Sequence, residues 1–203
     1  MTRLVPPLVF LVLALAAWEL TVWSTGVHEI ILPPPTSVAR AAIDLWEPLA
    51  EATTFTLIAA TAGLVAALLL GSVSAALLSQ SRWMRQGVFP FAVVLQTVPI
   101  VAIAPLVISW FGPGLVSIVT IAVVISMFPV IVQVTAGLLG VDPRLIDLFR
   151  LHDASRWQQF LKLHLPSAIP SVFTAARTSA GLATIGVVVG EFFAGFGGGA
   201  GLG

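Results

Sequence analysis

Apolar runs, each about long enough to cross a bilayer, recur along this chain and leave it few folds to choose from. Of its 203 residues 58% are hydrophobic and 9% charged, with a mean hydropathy of +1.06. So little charge cannot cover a water-soluble globule of this size. Roughly 20 apolar residues span the hydrocarbon core of a membrane. Inside it every backbone N–H and C=O must be paired within the segment, so such runs are helices. The pattern predicts five spans, at about 4–23, 53–79, 87–110, 115–139 and 169–194. The fold class is all-α: a polytopic helical membrane bundle.

The opening MTRLVPPLVFLVLALAAW imitates a signal peptide, with Ala14-Leu15-Ala16 placed like a cleavage site. A single Arg precedes it and apolar character runs on to Trp23, which favours a retained first span. The segment between the first two spans is too polar to cross. It carries a Pro-Pro-Pro turn and an amphipathic stretch from Thr36 to Leu49, which predicts a helix lying in the interface. Residues 1–52 therefore form one part, a first span with an external segment. Residues 53–203 form the transmembrane domain, with a polar excursion at 140–168.

Orientation follows from the basic residues. With the N-terminus in the cytoplasm, Arg3, Arg82, Arg85, Arg144, Arg150, Arg156, Lys162 and Arg177 fall on or near the inner side, and Arg40 alone lies outside. Glu29, Asp44, Glu47 and Glu51 fall in the outer segment. The net charge of zero gives no argument for a nucleic-acid partner. With no cysteine, disulfides, thiol catalysis and Cys-ligated metals are excluded.

Gly63, Ala67, Gly71 and Ala75 recur at four-residue spacing in the second span, a face on which another helix can approach closely. Pro90, Pro99 and Pro105 interrupt the third span and Pro129 the fourth. Each removes a backbone donor. At membrane depth the freed carbonyls face either protein or a watery cavity, so the prolines mark either kinks or a pathway.

The excursion DLFRLHDASRWQQFLKLHLP concentrates charge between two apolar runs. Asp142-Pro143 suits a helix start, and Leu145, Leu148 and Phe149 then share a face. After a break near His152-Asp153, Ser155 and Gln158 have capping-box spacing. Trp157, Phe160 and Leu161 make the second helix's apolar face, and Pro166 and Pro170 are expected to end it. Two such helices suit docking into a partner's groove or packing against the chain's own helix ends; the residues alone leave both open.

This excursion resembles the coupling loop of bacterial ATP-binding-cassette importer permeases: E-A-A, three residues, G, nine residues, I, one residue, L-P. The spacing is kept at Asp147-Leu148-Phe149, Asp153, Leu163, Leu165 and Pro166, although Asp147 replaces Glu and Asp153 replaces Gly. Asp tolerates left-handed backbone better than most residues, so the turn is expected to survive. ILPPPTSV, VPIVAIAPLVISWFGPG and FPVIVQVTAGLLGVDPRLID are similar to the nitrate, sulfonate, taurine and bicarbonate branch, which also holds permeases for pyrimidine and flavin precursors. The likeness covers about 31–203. It implies a permease subunit of the bacterial inner membrane. The partners it implies are cytosolic ATPase subunits, a second permease copy, an extracytoplasmic solute-binding protein and membrane lipid. The implied coupling set is Asp147, Leu148, Phe149, Arg150, Asp153, Ala154, Ser155, Arg156, Trp157, Leu165 and Pro166. Relatives continue past the Gly-rich turn with a further span, whereas this sequence stops at GFGGGAGLG; truncation and natural variation both fit.

No phosphate-cradling G-x-x-x-x-G-K-[ST] segment is present, so ATP and Mg are expected on a partner and no cofactor on this chain. His28, His152 and His164 form no H-E-x-x-H arrangement, and no metal site is expected. Gln96, Thr97, Pro99, Ser126, Gln133, Thr178 and Glu191 are the candidate pathway residues, each weighed against plain helix-to-helix bonding. Ser179 and Thr184 belong to the same polar group. Glu191 suits either an outer gate or, favoured here, an interfacial acid reaching water. Arg177 is placed in the inner third of its span, where it suits reaching the cytoplasmic interface, pairing with an acid or orienting an anion; a structural role is favoured. The alternatives to transport are a non-transporting scaffold or a membrane-embedded enzyme. The latter should bring ionisable groups together at one depth.

Overall fold

A computed structural model describes residues 5–195, and these form helices joined by short turns, with no strand among the described residues. The helices are α1 (Val5–Thr25), α2 (Pro35–Asp44), α3 (Trp46–Gln80), α4 (Arg82–Leu95), α5 (Ile100–Phe111), α6 (Leu115–Leu139), α7 (Pro143–Leu151), α8 (Arg156–Gln159) and α9 (Leu165–Gly195). A π turn, Phe160–His164, joins α8 to α9. Four helical stretches are long and apolar enough to cross a membrane: Val5–Thr25, Trp46–Gln80, Leu115–Leu139 and Arg156–Gly195. The bent pair α4–α5 makes a fifth if it is one broken span.

Contacts divide the chain into two compact units, Met1–Ala50 and Glu51–Gly203. In the first, α2 has Pro34 at its N-cap and so no capping side chain. Glu19 of α1 takes that role: the Thr36 N–H donates to its Oε2 at 3.2 Å and the Thr36 hydroxyl to its Oε1 at 2.7 Å. A carboxylate is favoured there because the first N–H groups of a helix lack partners. The amphipathic helix expected through Leu49 stops at Asp44. Pro48 has no N–H to offer the Asp44 carbonyl, so the ladder breaks and Trp46 opens α3.

In the second unit α6 is the central element. It buries Ile118, Ile121, Ala122, Ser126, Val130, Val134, Thr135 and Leu138, among others. The small-residue face of α3 lies against it as the spacing predicts: Thr56, Ala59, Gly63, Ala67, Gly71 and Ala75 are buried. A Cβ at Gly63 would meet the Ala122 Cβ at 2.6 Å, and one at Gly71 the Val130 Cβ at 2.8 Å. α9 approaches α6 from its other neighbour position, where a Cβ at Gly186 would lie 2.9 Å from the Ala122 Cα. Ala122 is thus held between two glycines. Such contact lets dispersion act over many atom pairs where lipid supplies no hydrophobic drive.

α9 runs antiparallel to α6, and four contacts set the register. Gly190 meets Ile118, Gly186 meets Ala122, Ser179 meets Ser126, and Gly137 meets Ser171 and Ala168. The serine contact is reciprocal: the Ser126 hydroxyl donates to the Ser179 carbonyl at 3.3 Å and the Ser179 hydroxyl to the Ser126 carbonyl at 3.0 Å. α5 covers a further side of the core through Ala104 and Val107 against Ile121.

Two expectations are revised in this unit. The third span is not one helix. Pro99 cannot donate to the Leu95 carbonyl, α4 ends at Leu95, and Pro99 becomes the N-cap of α5, with the two helices bent by more than 40°. Nor do Pro166 and Pro170 end the second excursion helix, since α8, the π turn and α9 run on as one stretch, Arg156–Gly195. The ladder widens just before Pro166, the Leu165 N–H reaching back to the Phe160 carbonyl. π-bulges of this kind absorb a local break in the i→i−4 pattern.

Candidate functional site

The excursion between α6 and α9 is built by local capping. The Asp142 carboxylate accepts from the Arg144 N–H at 2.9 Å and Pro143 fills the first helical position of α7. The chain turns at Asp153, whose φ of 51° is left-handed, the only non-glycine with positive φ among the described residues. A capping box then starts α8: the Ser155 hydroxyl accepts from the Gln158 N–H at 3.2 Å and the Gln158 Oε1 from the Ser155 N–H at 2.8 Å. Gln159 adds a bond to the Ala154 carbonyl at 2.9 Å.

Sequence reasoning assigned no role to His164, yet it ties this hairpin to the bundle. Its Nδ1 lies 2.7 Å from the Leu138 carbonyl, which requires the proton on that nitrogen. Leu138 is in the last turn of α6, where carbonyls lack intrahelical partners. The signal was a histidine 26 residues beyond an apolar helix end, too distant to read.

The excursion presents two faces. Leu163 is buried, and Phe149 and Phe160 are half-buried, so part of the apolar surface packs on the chain itself. Leu148, Leu151, Trp157 and Leu161 stay exposed, Leu151 by 81% and Trp157 by 63%. Trp157 stacks on Phe160 with ring centroids 5.8 Å apart. Leu148, Phe149, His152, Ala154, Gln158 and Lys162 line a groove of about 340 Å³ between the two short helices. Arg150 and Asp147 form an ion pair at 3.4 Å with both side chains 69% exposed, a contact of little energetic weight in water. Arg156 is exposed beside them, and with Arg150 it borders a second hollow reaching Ser79 and Gln80 of α3. Leu165 and Pro166 belong to the first turn of α9.

The candidate pathway residues fall into separate places. Gln96, Thr97 and Pro99 occupy the α4–α5 break and are exposed. Gln96 lines a cavity of about 170 Å³ with Phe128, Pro129 and Leu182. Ser126 is fully buried in its pairing with Ser179, a link between helices with no face toward a solute. Gln133 is half-buried, and its Oε1 has no hydrogen-bond partner among the described residues. Thr178 and Thr184 are exposed and donate to the Thr174 and Ala180 carbonyls of their own helix.

One charged residue, Glu191, sits differently from the expectation, and a second, Arg177, takes its level from the α6–α9 contact. Glu191 is only 2% exposed and accepts from the Thr56 hydroxyl at 2.8 Å, so the interfacial placement is corrected to a buried α3–α9 contact. Beside it Gly190 packs on Ile118 of α6, and Ala194 is buried in a cluster with Ala59 and Ile118. Arg177 lies two residues from Ser179, which pairs with Ser126, one residue from the midpoint of the 25-residue α6. That sets Arg177 near the level of the middle of α6.

A helical bundle that crosses a membrane several times and returns a capped, half-apolar hairpin between its two best-packed helices is of the transport-permease class. The chain belongs to the family of binding-protein-dependent transport system inner membrane components, which matches residues 63–203. It is therefore a multi-pass inner-membrane protein. It is 36% identical to riboflavin transport system permease protein RibX of Chloroflexus aurantiacus over 192 residues, 92% of this chain and 70% of that one. It is 32% identical to formylaminopyrimidine transport permease protein ThiX of Halalkalibacterium halodurans over 191 residues, 92% of this chain and 74% of that one. Putative aliphatic sulfonates transport permease protein SsuC of Bacillus subtilis is 37% identical over 102 residues, 50% of this chain and 37% of that one.

Proposed function

We propose that this chain is the permease subunit of an ATP-driven importer for a small solute, and that the α7–α8 hairpin is where a separate cytosolic ATPase holds it. Two copies enclose the pathway, and a solute-binding protein delivers cargo from outside. ATP and Mg belong to the partner. The observation that carries this reading is the hairpin itself, a rigidly capped turn that leaves Leu148, Leu151, Trp157 and Leu161 uncovered beside Arg150 and Arg156. A rigid handle suits the task. Nucleotide binding can shift inward and outward populations only through a contact that differs between the two states. The hairpin continues through the π turn into α9, so displacement at the handle is transmitted along about 60 Å of helix, at 1.5 Å for each of 40 residues.

In vesicles reconstituted with the ATPase and the binding protein, Arg156→Glu is expected to insert normally but to hydrolyse ATP without solute uptake. Uptake at the unsubstituted rate would refute the docking assignment. Failure of the chain to co-purify with any ATPase would count against transport as a whole.

A further inference from the structure

Leu138 and His164 are the two roots of the α7–α8 hairpin, and one hydrogen bond joins them. α6 and α9 are packed together from the Gly190–Ile118 contact as far as Gly137, which meets Ser171 and Ala168. Past Gly137 the two segments part: α6 ends at Leu139, and α9 gives way to the π turn. There the Nδ1–H of His164 donates to the Leu138 carbonyl at 2.7 Å and closes a loop whose ends are 26 residues apart.

Two kinds of contact hold this root. Leu163 is buried, and Phe160 packs on the cluster that holds Leu138, Ala168 and Ala175. Apolar contact of this sort has no preferred direction, so it tolerates rotation. The hydrogen bond does not, because it weakens steeply as donor and acceptor leave their line. Further out, Leu148, Leu151, Trp157 and Leu161 are exposed, so the outer part of the hairpin is steered from its root. The π turn beside the bond has a ladder already widened, the Leu165 N–H reaching the Phe160 carbonyl. Helices bend at such turns.

Without the bond, the hairpin stays attached through the non-helical Gly140–Val141 on one side and the π turn on the other, and can swing about both. We propose that His164 is a positioning residue that locks the hairpin to α6 as well as to α9, so that both helices follow when the hairpin is displaced. This rests on the transport reading above, in which an ATPase holds the hairpin. The net value of one such hydrogen bond is about 1 kcal/mol, roughly a fivefold shift in the ratio of locked to free hairpin. The position of the donor atom is the specific requirement. His164→Asn keeps an N–H donor bonded directly to Cγ, as Nδ1 is, whereas His164→Gln moves it one bond further out.

Rigidity and coupling are measured separately. The chain has no cysteine, so Leu151→Cys on the hairpin and Val116→Cys on α6, both at exposed positions, take spin labels at two defined places. In bilayer discs, with labelled chain diluted in unlabelled, the full chain should give a narrow distance distribution. His164→Ala and His164→Gln should broaden it, and His164→Asn should leave it narrow. In proteoliposomes with the ATPase and binding protein, and without the cysteine substitutions, uptake of labelled riboflavin, nitrate and methanesulfonate is measured per ATP hydrolysed. That ratio should fall about two- to fivefold in His164→Ala and His164→Gln and hold in His164→Asn. If His164→Ala fails to insert, the comparison of His164→Gln with His164→Asn carries the test. Hydrolysis and uptake falling together, with their ratio unchanged, would reduce His164 to a helix cap and overturn the inference while leaving transport standing. Distance distributions that do not change across the series would overturn it equally. No ATP-driven uptake of any probe by the unsubstituted chain would instead sink the transport reading, and the coupling role with it, whatever the distances show.

Discussion

Glu191 and Thr56 show how single side chains hold this bundle together. A carboxyl that is 2% exposed needs its oxygens engaged, and the Thr56 hydroxyl donates to one of them across the α3–α9 contact. Thr56→Val keeps the shape and removes that donor. It should cost roughly 1–3 kcal/mol, the range for a buried polar group deprived of a partner. A lower midpoint of thermal unfolding in detergent for Thr56→Val, with Thr56→Ser unchanged, is the expected pattern; equal midpoints for both variants would show the bond to be incidental. Gly63 makes the converse point. A larger side chain there must displace Ala122, itself pinned on its far side by Gly186. Gly63→Val is therefore expected to destabilise by about 1–3 kcal/mol through overpacking, read by the same unfolding measurement. The spacing of Gly63, Ala67, Gly71 and Ala75 was legible without a structure because four-residue repetition is a property of one helix alone. The Glu191–Thr56 contact was not, since it joins residues 135 positions apart.

At the scale of elements, what could be read in advance was whatever depends on neighbours in sequence. The Asp142 cap, the left-handed Asp153 and the Ser155–Gln158 box all lie within a few residues of their partners, and all three are present. Helix ends near proline were misjudged in both directions. Pro48 and Pro99 coincide with breaks, α2 ending at Asp44 and α4 at Leu95, whereas Pro166 is carried through by a π turn. Ser155→Ala tests how much the hairpin depends on its cap. Loss of a Ser N-cap costs about 1 kcal/mol, roughly a fivefold increase in local opening. Hydrogen exchange at the Gln158 amide should speed up by that factor while amides in the middle of α6 are unaffected. Unchanged exchange would mean that Trp157 stacking and the His164 tie hold α8 without the box.

The whole molecule is oriented by charge. By the spans the sequence predicts, Arg82, Arg85, Arg144, Arg150, Arg156 and Lys162 fall close to span ends on the inner side, and Arg40 alone falls in an outer segment. Arg177 drops out of that comparison, because it lies inside a predicted span, level with the middle of α6, and not at a flank. The remaining imbalance still favours the hairpin end as cytoplasmic, since lysines and arginines near span ends resist transfer across the membrane. Acids have little say in this rule, so the run from Glu29 to Glu51 neither helps nor hinders it. The absence of native cysteine again permits a direct measurement. Ser155→Cys, on the exposed turn of the hairpin, should react with an impermeant maleimide in inverted membrane vesicles and not in intact cells. Glu29→Cys, in the exposed stretch between α1 and α2, should do the opposite. Labelling of Ser155→Cys from outside intact cells would invert the bundle, place the hairpin beyond reach of any cytosolic ATPase, and remove the physical basis for reading it as a handle.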